Sequence, residues 1–377
     1  MKRSFPKTLA LLIAAVICAV FSSGAFAQSV EPFGNQENPL AEQHEASFEN
    51  YRFRDGETLA KLRIHYATLG QPHRNQAGEI DNAVLVLHWT GSDSRVLLTR
   101  PFMESLFDPG RPLDAKRYFL IFADSVGHGR SSKPSDGLRM AFPKYGYGDI
   151  VDLQHRLVTE TLGIKRLHAI LGISMGAMNA WQWAEDYPDA VDGIMPVVSF
   201  PTKVSGRNLI WRHLAIDYIR SDPDWQDGNY QKPFRGWIQS YQLLRMMIDG
   251  VPHLQANAPD GAAADRFIAE AAKQSSGADA NDLLYSLQAS ADYDPEAALG
   301  TIRTRVFALN FGDDEFNPDQ LQILEHLITR VPHGTYKVQP GSEKSFGHLT
   351  MAHPELWAQH VATFMDQLGD SQPQVTR

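Results

Sequence analysis

The feature that most constrains the fold of this chain is the stretch LHAILGISMG at residues 167–176. An apolar run leads into Gly172-Ile173-Ser174-Met175-Gly176, and the small and helix-forming residues that follow predict a strand, a tight turn and a helix. A G-x-S-x-G turn in this context lifts a serine hydroxyl clear of the edge of a sheet. The pentapeptide alone arises often by chance and also fits a purely structural glycine turn. Its place between strand and helix favours Ser174 as a nucleophile.

Residues 1–27 have the pattern of a secretory signal peptide. The basic start MKRSFPK is followed by the apolar run LALLIAAVICAV at residues 9–20, and AFA precedes residue 28 as a small-x-small cleavage site. The apolar run is shorter than the roughly 20 residues that span a bilayer, which favours a signal over a membrane anchor. We therefore expect cleavage after Ala27, a periplasmic or secreted protein, and no membrane span in the remaining chain.

Composition narrows the classes of function. The only cysteine of the 377 residues is Cys18, inside the expected signal, so the rest of the chain has neither a disulfide framework nor a thiol nucleophile. The net charge of -9 makes the protein a poor binder of nucleic acid and of anionic membranes. The sequence contains no H-E-x-x-H, no Walker A motif and no glycine-rich dinucleotide turn. We therefore expect no metal, no cofactor and no nucleic-acid partner.

Apolar runs that alternate with helical patterns predict an α/β fold with a mostly parallel central sheet and helices on both faces. Residues 48–70 alternate and carry the Asp55-Gly56 pair typical of a hairpin. Continuous apolar runs, which are typical of strands buried on both faces, occupy residues 83–88, 118–123, 167–171, 193–199 and 306–311, with a weaker run at 335–338 and a helical pattern at 149–162.

Between residues 200 and 305 this alternation stops. The stretch carries helical segments rich in aromatic residues and Met, which predict a helical cap over the carboxyl edge of the sheet. The simpler interpretation, that these helices only pack their apolar stripes on the core, is compatible with a cap. The predicted organisation is a signal peptide at 1–27, an extended N-terminal arm at 28–47, a core at 48–200 and 301–370, and a cap insertion at 201–300.

A serine nucleophile needs a base and a carboxylate, and in this type of sheet they follow the serine in the order acid, then histidine. The strand at residues 306–311 delivers Asp313 and Asp314 to the same edge as Ser174, and only one of the two is expected to reach the base. His348 lies in the loop SFGHLT after the last strand and is favoured over His353. The other histidines beyond the strand fall in helical patterns or a turn: His326, His333 and His360.

Stabilising the oxyanion of an acyl-transfer intermediate requires two oriented N–H groups. We expect one from the amide of Met175 and the other from the amide of Trp89 or Thr90, in the loop after the strand at 83–88. Four more polar residues lie on loops at this edge, and for all of them hydrogen bonding within the loops is the preferred interpretation: His88, His128, Ser131 and Ser132.

Taken together, the hairpin and the segments NAVLVLH, DIVDLQHRL, GISMGAMNAWQWAEDYPD, DPDW and the terminal GH resemble the homoserine O-acetyltransferase branch of the α/β-hydrolase superfamily. The resemblance runs from about residue 48 to about residue 365. It implies the α/β-hydrolase fold, with Ser174 as the nucleophile and His348 as the base. The acid segment of the family corresponds to DDEFNP at residues 313–318, which implies Asp314 as the acid.

Three departures from the family bear on the substrate. Ile216 stands where the family carries an arginine that resembles a clamp for the substrate carboxylate. Ala177 replaces the second glycine after the nucleophile. The loop after residue 88 is one residue shorter, and DSVGHGRSS resembles ester hydrolases in general. The residues for acyl chemistry are therefore present, while the amino-acid clamp is not.

These observations predict an exported serine hydrolase that cleaves an ester or related acyl bond of a small-molecule substrate. An exported enzyme does not meet cytosolic acetyl-CoA, so water is the expected acceptor. One alternative is an O-acyltransferase of the homoserine O-acetyltransferase type. Another is a non-catalytic binding protein on a hydrolase fold. A homodimer through the cap is a further expectation.

Overall fold

The computed structural model describes residues 38–369. The predicted signal, its cleavage site after Ala27, the first ten residues of the predicted arm and residue 370 lie outside the described residues. The strands are β1 Glu42–Arg52, β2 Thr58–Leu69, β3 Ala83–Leu87, β4 Phe119–Ala123, β5 Leu167–Ile173, β6 Val191–Val197, β7 Arg305–Phe311 and β8 Gly334–Gln339.

Within residues 38–369 these strands form one eight-stranded sheet in the order β1-β2-β4-β3-β5-β6-β7-β8. β1 pairs antiparallel with β2, and β2 pairs antiparallel with β4. All later neighbours are parallel, and Gly172 of β5 is flanked by Leu87 of β3 and Pro196 of β6. The sheet is therefore mostly parallel, as predicted, and the loops after β3, β5, β6 and β7 meet at one edge.

The central strands are buried on both faces. Every residue of β3, β4 and β5 is buried, which is why these strands appear in the sequence as unbroken apolar runs. β1 differs from the prediction, because it begins at Glu42 and takes in residues 42–47 of the predicted arm. The first inward-facing residue of that stretch is Ala46, and the residues before it are polar, so the alternation becomes visible only at Phe48.

The helices are α1 Ser94–Leu97, α2 Arg100–Phe102, α3 Tyr147–Arg156, α4 Met175–Asp186, α5 Gly206–Ser221, α6 Arg235–Ile248, α7 Val251–Asn257, α8 Gly261–Ser275, α9 Ala280–Ala289, α10 Ile323–Ile328 and α11 Ala358–Leu368. The predicted helix at 149–162 consists of α3 followed by a π-helical turn at Leu157–Thr161. In the described part of the chain, none of the helices combines the length and apolar character that a membrane crossing requires.

Two glycines allow α4 to lie close against the sheet. A Cβ atom on Gly172 would lie 2.1 Å from the carbonyl oxygen of Gly176, and one on Gly176 would lie 2.5 Å from the carbonyl oxygen of Leu87. Both distances are far below van der Waals contact, so only glycine fits at these positions. The start of α4 is thereby held against the ends of β3 and β5.

Helices α5 to α9 lie between β6 and β7 in the chain. α5 packs against α6 and α9, and α6 packs against α8. Polar bonds tie this segment to the core: the backbone N–H groups of Tyr147 and Gly148 donate to Asp292 at 2.8 and 3.0 Å, and the Tyr285 hydroxyl donates to the Phe142 carbonyl at 2.6 Å. These bonds hold the segment against the start of α3 and the loop before it.

Candidate active site

Ser174 occupies a strained turn between β5 and α4. Its φ of 55° and ψ of -109° are unusual for a residue with a side chain. The conformation is held because the Ser174 N–H donates to the Val197 carbonyl at 2.9 Å and the Gly176 N–H donates to the His88 carbonyl at 3.1 Å. Backbone strain of this kind is concentrated at functional sites.

Ser174, His348 and Asp314 form one hydrogen-bonded chain. The Oγ of Ser174 lies 2.9 Å from Nε2 of His348, and Nδ1 of His348 lies 2.7 Å from Oδ2 of Asp314. All three residues are buried. A carboxylate bonded to Nδ1 fixes the tautomer in which Nε2 accepts the serine proton. The geometry fits proton transfer from the serine hydroxyl to the imidazole.

Hydrogen bonds hold the Asp314 carboxylate in its ionised form. Its Oδ1 accepts the backbone N–H groups of Phe316 and Asn317 at 2.7 and 3.2 Å, and its Oδ2 accepts the Asn317 side-chain amide at 2.9 Å. Burial alone would raise the pKa of Asp314, but the charge and hydrogen bond of His348 and these amide donors hold the pKa below its ordinary value. Asp314 is therefore a carboxylate at neutral pH.

Asp313 points elsewhere, although it is adjacent in sequence. Its Oδ2 accepts the Ser345 hydroxyl at 2.7 Å and the Gly347 backbone N–H at 3.1 Å. Asp313 thus anchors the loop that carries His348, while Asp314 bonds the imidazole itself. The sequence pattern alone left open which of the two carboxylates would bond the base. In the structure, the carboxylate bonded to His348 is that of Asp314.

The other histidines near the end of the chain, which were alternatives to His348 as the base, contact residues away from Ser174. Nδ1 of His353 is 3.2 Å from Glu355, and its ring stacks on Phe346. His326 bonds its own helix through the Gln322 carbonyl, and His360 contacts Gln339. Within residues 38–369 none of these three histidines forms a hydrogen bond with Ser174, whose Oγ is bonded by His348.

The three amides expected to stabilise an oxyanion lie at the same edge. The Met175 N–H opens α4 and, like all first-turn amides, has no partner within its helix. Trp89 and Thr90 follow β3, in a loop tied to α4 by the bond from Gly176 to His88. Across residues 38–369, no hydrogen bond uses the backbone N–H of Met175, Trp89 or Thr90. These groups are available to a substrate oxygen.

The four polar loop residues at this edge hold the loops together. His88 donates to the Trp89 carbonyl at 2.9 Å and accepts the Ser125 N–H at 3.1 Å, which joins two loops. His128 bonds Ser286 of α9 at 2.9 Å, and burial lowers its pKa to about 3, so it remains neutral. The hydroxyls of the two serines bond backbone groups of neighbouring segments: Ser131 and Ser132.

Aromatic rings from the cap and from the acid loop cover the histidine. The Phe316 ring lies 4.8 Å from the His348 ring, and Trp211 of α5 stacks on Phe316 at 5.2 Å. These rings shield the imidazole from water, which strengthens electrostatic interactions in the site. The cap therefore contributes a wall of the site as well as a packed layer.

Sequence reasoning missed two residues near the site and the role of a third. Asn317 orients Asp314, and its only signal is an amide side chain in the DDEFNP segment. Asp313 was a candidate acid, but it anchors the histidine loop instead. Arg212 of α5 is buried beside Trp211, and its signal is a basic residue within the apolar pattern of a cap helix. Ile216, one turn further along α5, is half-buried and packs on the core.

A family model described as alpha/beta hydrolase fold matches residues 105–343, more than half of the chain. Among curated proteins, a probable acyltransferase of Methanothermobacter thermautotrophicus is 27% identical over 278 residues, which cover 73% of this chain and 84% of the relative. A homoserine O-acetyltransferase of Carboxydothermus hydrogenoformans is 31% identical over 55% of this chain and 57% of the relative. The match to this second relative thus spans little more than half of its length.

Solved structures of a transferase and of a hydrolase both have the same fold as this chain. A homoserine O-acetyltransferase from Bacillus anthracis superposes with a TM-score of 0.76 at 22% identity, covering 87% of this chain and 98% of that one. An acetylester hydrolase from Corynebacterium glutamicum gives 0.74 at 20% identity, covering 87% and 95%. At these identities the likeness concerns the fold, which is common to the transferase and the hydrolase.

Proposed function

This chain belongs to the alpha/beta hydrolase fold family, in a branch similar to the homoserine O-acetyltransferases, and from that membership we propose that it is an exported serine hydrolase of carboxylic esters. One observation carries the proposal: the hydrogen-bonded chain from Ser174 through His348 to Asp314. A buried serine in a strained turn, with a base and a carboxylate in line, is the arrangement that serine nucleophiles require.

In the proposed reaction, Ser174 Oγ attacks the ester carbonyl while Nε2 of His348 takes its proton. Asp314 stabilises the imidazolium that forms, and the amide of Met175 with that of Trp89 or Thr90 donates to the oxyanion. His348 then returns the proton to the leaving alcohol, which gives an acyl-enzyme. Water, deprotonated by the same imidazole, attacks the acyl group, and Ser174 leaves with the proton restored.

Hydrolysis is proposed over acyl transfer for two reasons. The pattern of residues 1–27 is that of an export signal, and a protein outside the cytosol has water as its abundant acceptor. The position at which the transferases carry a substrate arginine is Ile216, an apolar residue packed on the core. The names of the relatives support acyl transfer as the second candidate, because both are described as acyltransferases.

The nucleophile is tested by labelling with a fluorophosphonate probe. We expect stoichiometric labelling of the protein and none of Ser174→Ala, with Ser276→Ala, an exposed serine at the end of α8, labelled like the wild type. Equal labelling of Ser174→Ala would contradict the proposal. A burst of p-nitrophenol from a p-nitrophenyl ester would exclude the alternative of a non-catalytic binding protein.

Hydrolysis and transfer are separated by competition for the acyl-enzyme. With p-nitrophenyl acetate as donor, we expect acetate as the product even when homoserine or a simple alcohol is present at millimolar concentration. Formation of O-acetylhomoserine faster than acetate would show the protein to be a transferase. A series of neutral esters from acetate to octanoate then defines the acyl length that the site accepts.

A further inference from the structure

Arg212 is a buried cation without an anionic partner. It lies on α5 with 4% of its surface exposed. Its Nε donates to Oδ1 of Asn208 at 3.0 Å, and its Nη1 donates to the hydroxyl of Ser290 at 3.3 Å. Its guanidinium also lies 5.2 Å from the centroid of the Trp211 ring. All these partners are neutral, and within residues 38–369 no carboxylate forms an ion pair with Arg212.

A guanidinium remains protonated in proteins, so the charge is buried with it. Burial lowers the pKa of Arg212, which reflects the cost of holding the cation away from water. Ser290 caps the C-terminal end of α9, where the helix dipole supplies a partial negative charge of about one half. That partial charge compensates a full positive charge only in part, and an unpaired buried charge destabilises the folded protein. An anion beside Arg212 would remove most of this cost.

Two more polar groups lie next to Arg212. The Tyr147 hydroxyl interacts with the Arg212 guanidinium and with the Thr90 side chain. The Asp292 carboxylate also acts on Tyr147, but its two oxygens already accept the backbone N–H groups of Tyr147 and Gly148. The hydroxyl oxygens of Tyr147 and Thr90 are buried, and in the described chain neither makes a hydrogen bond of normal distance and angle. Buried hydroxyls are normally bonded, and a carboxylate oxygen placed among these groups would accept from each of them.

Two series of contacts connect this cluster with the loops that carry Ser174 and His348. Thr90 belongs to the loop whose amides are candidates for the oxyanion. On the other side, Trp211 stacks on Phe316, and Phe316 contacts the His348 ring at 4.8 Å. We therefore expect the atoms next to a carbonyl that is bound by this loop to lie on the side of Thr90, and so toward Tyr147 and Arg212.

We propose that Arg212 and the hydroxyl of Tyr147 bind a carboxylate of the substrate, so that the preferred esters carry an anion a few bonds from the carbonyl that is attacked. This inference rests on the proposed ester hydrolysis and specifies its substrate class. The carboxylate could stand on the acyl part or on the alcohol part of the ester, and the two are separated by experiment.

The test compares anionic esters with neutral esters of similar size. Mono-p-nitrophenyl succinate against p-nitrophenyl pentanoate tests an anion on the acyl side, and 3-acetoxypropanoate against its methyl ester tests the alcohol side. In one of the two pairs we expect kcat/KM to favour the anion at least about tenfold. Arg212→Gln should reduce that ratio by about ten- to a hundredfold, the range for charged hydrogen bonds, and Arg212→Lys by less.

Arg220→Gln is the matched control, because it removes the same charge from an exposed position of α5 and should leave the ratio unchanged. Tyr147→Phe is the second variant if Arg212→Gln fails to fold. It deletes only the hydroxyl and keeps the buried ring, so it should fold and lower the ratio severalfold. A wild-type preference for the neutral ester in both pairs, or equal losses on both esters of a pair, would overturn the inference.

Calorimetry with Ser174→Ala separates this inference from the proposed function. That variant should bind the favoured anionic ester, and adding Arg212→Gln should weaken binding by about tenfold or more. Binding that depends on Arg212 in a protein that hydrolyses no ester would leave the carboxylate site standing and remove the proposed function. Ester hydrolysis that depends on Ser174 without a preference for anions would do the reverse.

Discussion

At the scale of single residues, the two adjacent carboxylates support His348 in different ways. Asp314 bonds the imidazole, and Asp313 holds the backbone N–H of Gly347. We expect Asp314→Asn to lower kcat by about 10³- to 10⁴-fold, because an amide cannot hold the required tautomer or stabilise the imidazolium. Asp313→Asn should lower kcat by no more than about a hundredfold, since it only shifts the loop.

The measurement is steady-state hydrolysis of a p-nitrophenyl ester, with thermal unfolding of both variants as a check on folding. The matched pair exchanges the same atoms at neighbouring positions, so a difference in kcat reports the role of each carboxylate. Equal losses in both variants, or a larger loss in Asp313→Asn, would contradict the assignment of Asp314 as the acid.

The nucleophile, the base and the pair of acids were accessible from sequence because each follows a strand that ends at the same edge. Spacing along a chain does not reveal side-chain direction, so the residues left Asp313 and Asp314 open until the family resemblance pointed to Asp314. Arg212 escaped notice for a related reason. The family resemblance concerns position 216, which is Ile in this chain, and burial of a cation one helical turn earlier depends on how α5 packs.

At the scale of elements, the start of α4 is held against β3 by the absence of a side chain at Gly176. A Cβ there would lie 2.5 Å from the Leu87 carbonyl oxygen, and neither backbone can yield easily. We expect Gly176→Ala to destabilise the protein by about 1–3 kcal/mol or more and to lower kcat, because the turn that holds Ser174 must shift. Urea unfolding and ester hydrolysis measure the two effects.

Gly261→Ala is the control for that experiment. Gly261 opens α8, and a Cβ on it would meet no atom within 4 Å. This variant should unfold within about 0.5 kcal/mol of the wild type and keep its activity. A Gly176→Ala protein as stable and active as Gly261→Ala would show that the helix does not need its close approach.

Asp282 makes the attachment of the cap sensitive to pH. It lies on α9 and accepts the backbone N–H and the hydroxyl of Ser135 at 2.9 and 2.6 Å. Burial raises its pKa to about 7. A carboxyl whose pKa is raised by folding contributes stability below its ordinary pKa of about 3.8 and loses that contribution as the pH rises through about 7.

We therefore expect Asp282→Asn, which cannot ionise, to gain stability relative to the wild type as the pH rises from 4.5 to 8. Urea unfolding at the two pH values measures the change, and Asp265→Asn, at an exposed site on α8, is the control that should show none. A stability difference between Asp282→Asn and the wild type that is the same at both pH values would contradict the prediction.

The strands were easier to predict than the cap. A strand buried on both faces is marked by its own apolar residues, so the positions of β3, β4, β5, β6 and β7 followed from local pattern to within a few residues. β1 was predicted to begin at Phe48 because its first inward-facing residue is as small as Ala46. The cap helices were recognised as helices, but which of their faces borders the site depends on contacts between distant segments.

At the scale of the whole molecule, the fold does not indicate whether the protein catalyses hydrolysis or acyl transfer. The superposition with a homoserine O-acetyltransferase, at a TM-score of 0.76, is as close as that with an acetylester hydrolase, at 0.74. Both reactions pass through an acyl-enzyme, and they differ only in the molecule that attacks it. We therefore expect the difference to lie in the groups around the site, and Arg212 of the cap is the cation that we propose among them.

The cap also presents an apolar face away from the core. Trp211, Ala215 and Ile219 of α5 are buried, while Ile210 and Leu214 on another face of the helix are 61% and 40% exposed. A helix that is apolar on several faces is typically covered on more than one side. This supports the expectation of a homodimer through the cap, in which the same patch of each copy faces the other.

We expect the protein to elute as a dimer at micromolar concentration in size-exclusion chromatography with light scattering. Ile210→Glu should raise the dissociation constant at least about a hundredfold, because the symmetric contact places the buried charge in the interface twice.

Ile268→Glu is the matched control, since Ile268 is an exposed isoleucine on α8, outside this face, and its substitution should leave the dimer intact. A monomeric wild type, or equal weakening by both substitutions, would show that the exposed face of α5 does not join two copies. If the dimer forms as expected, α5 has two roles, because the helix that carries Arg212 beside the site also forms the interface, and its packing against a second copy would fix the position of the guanidinium.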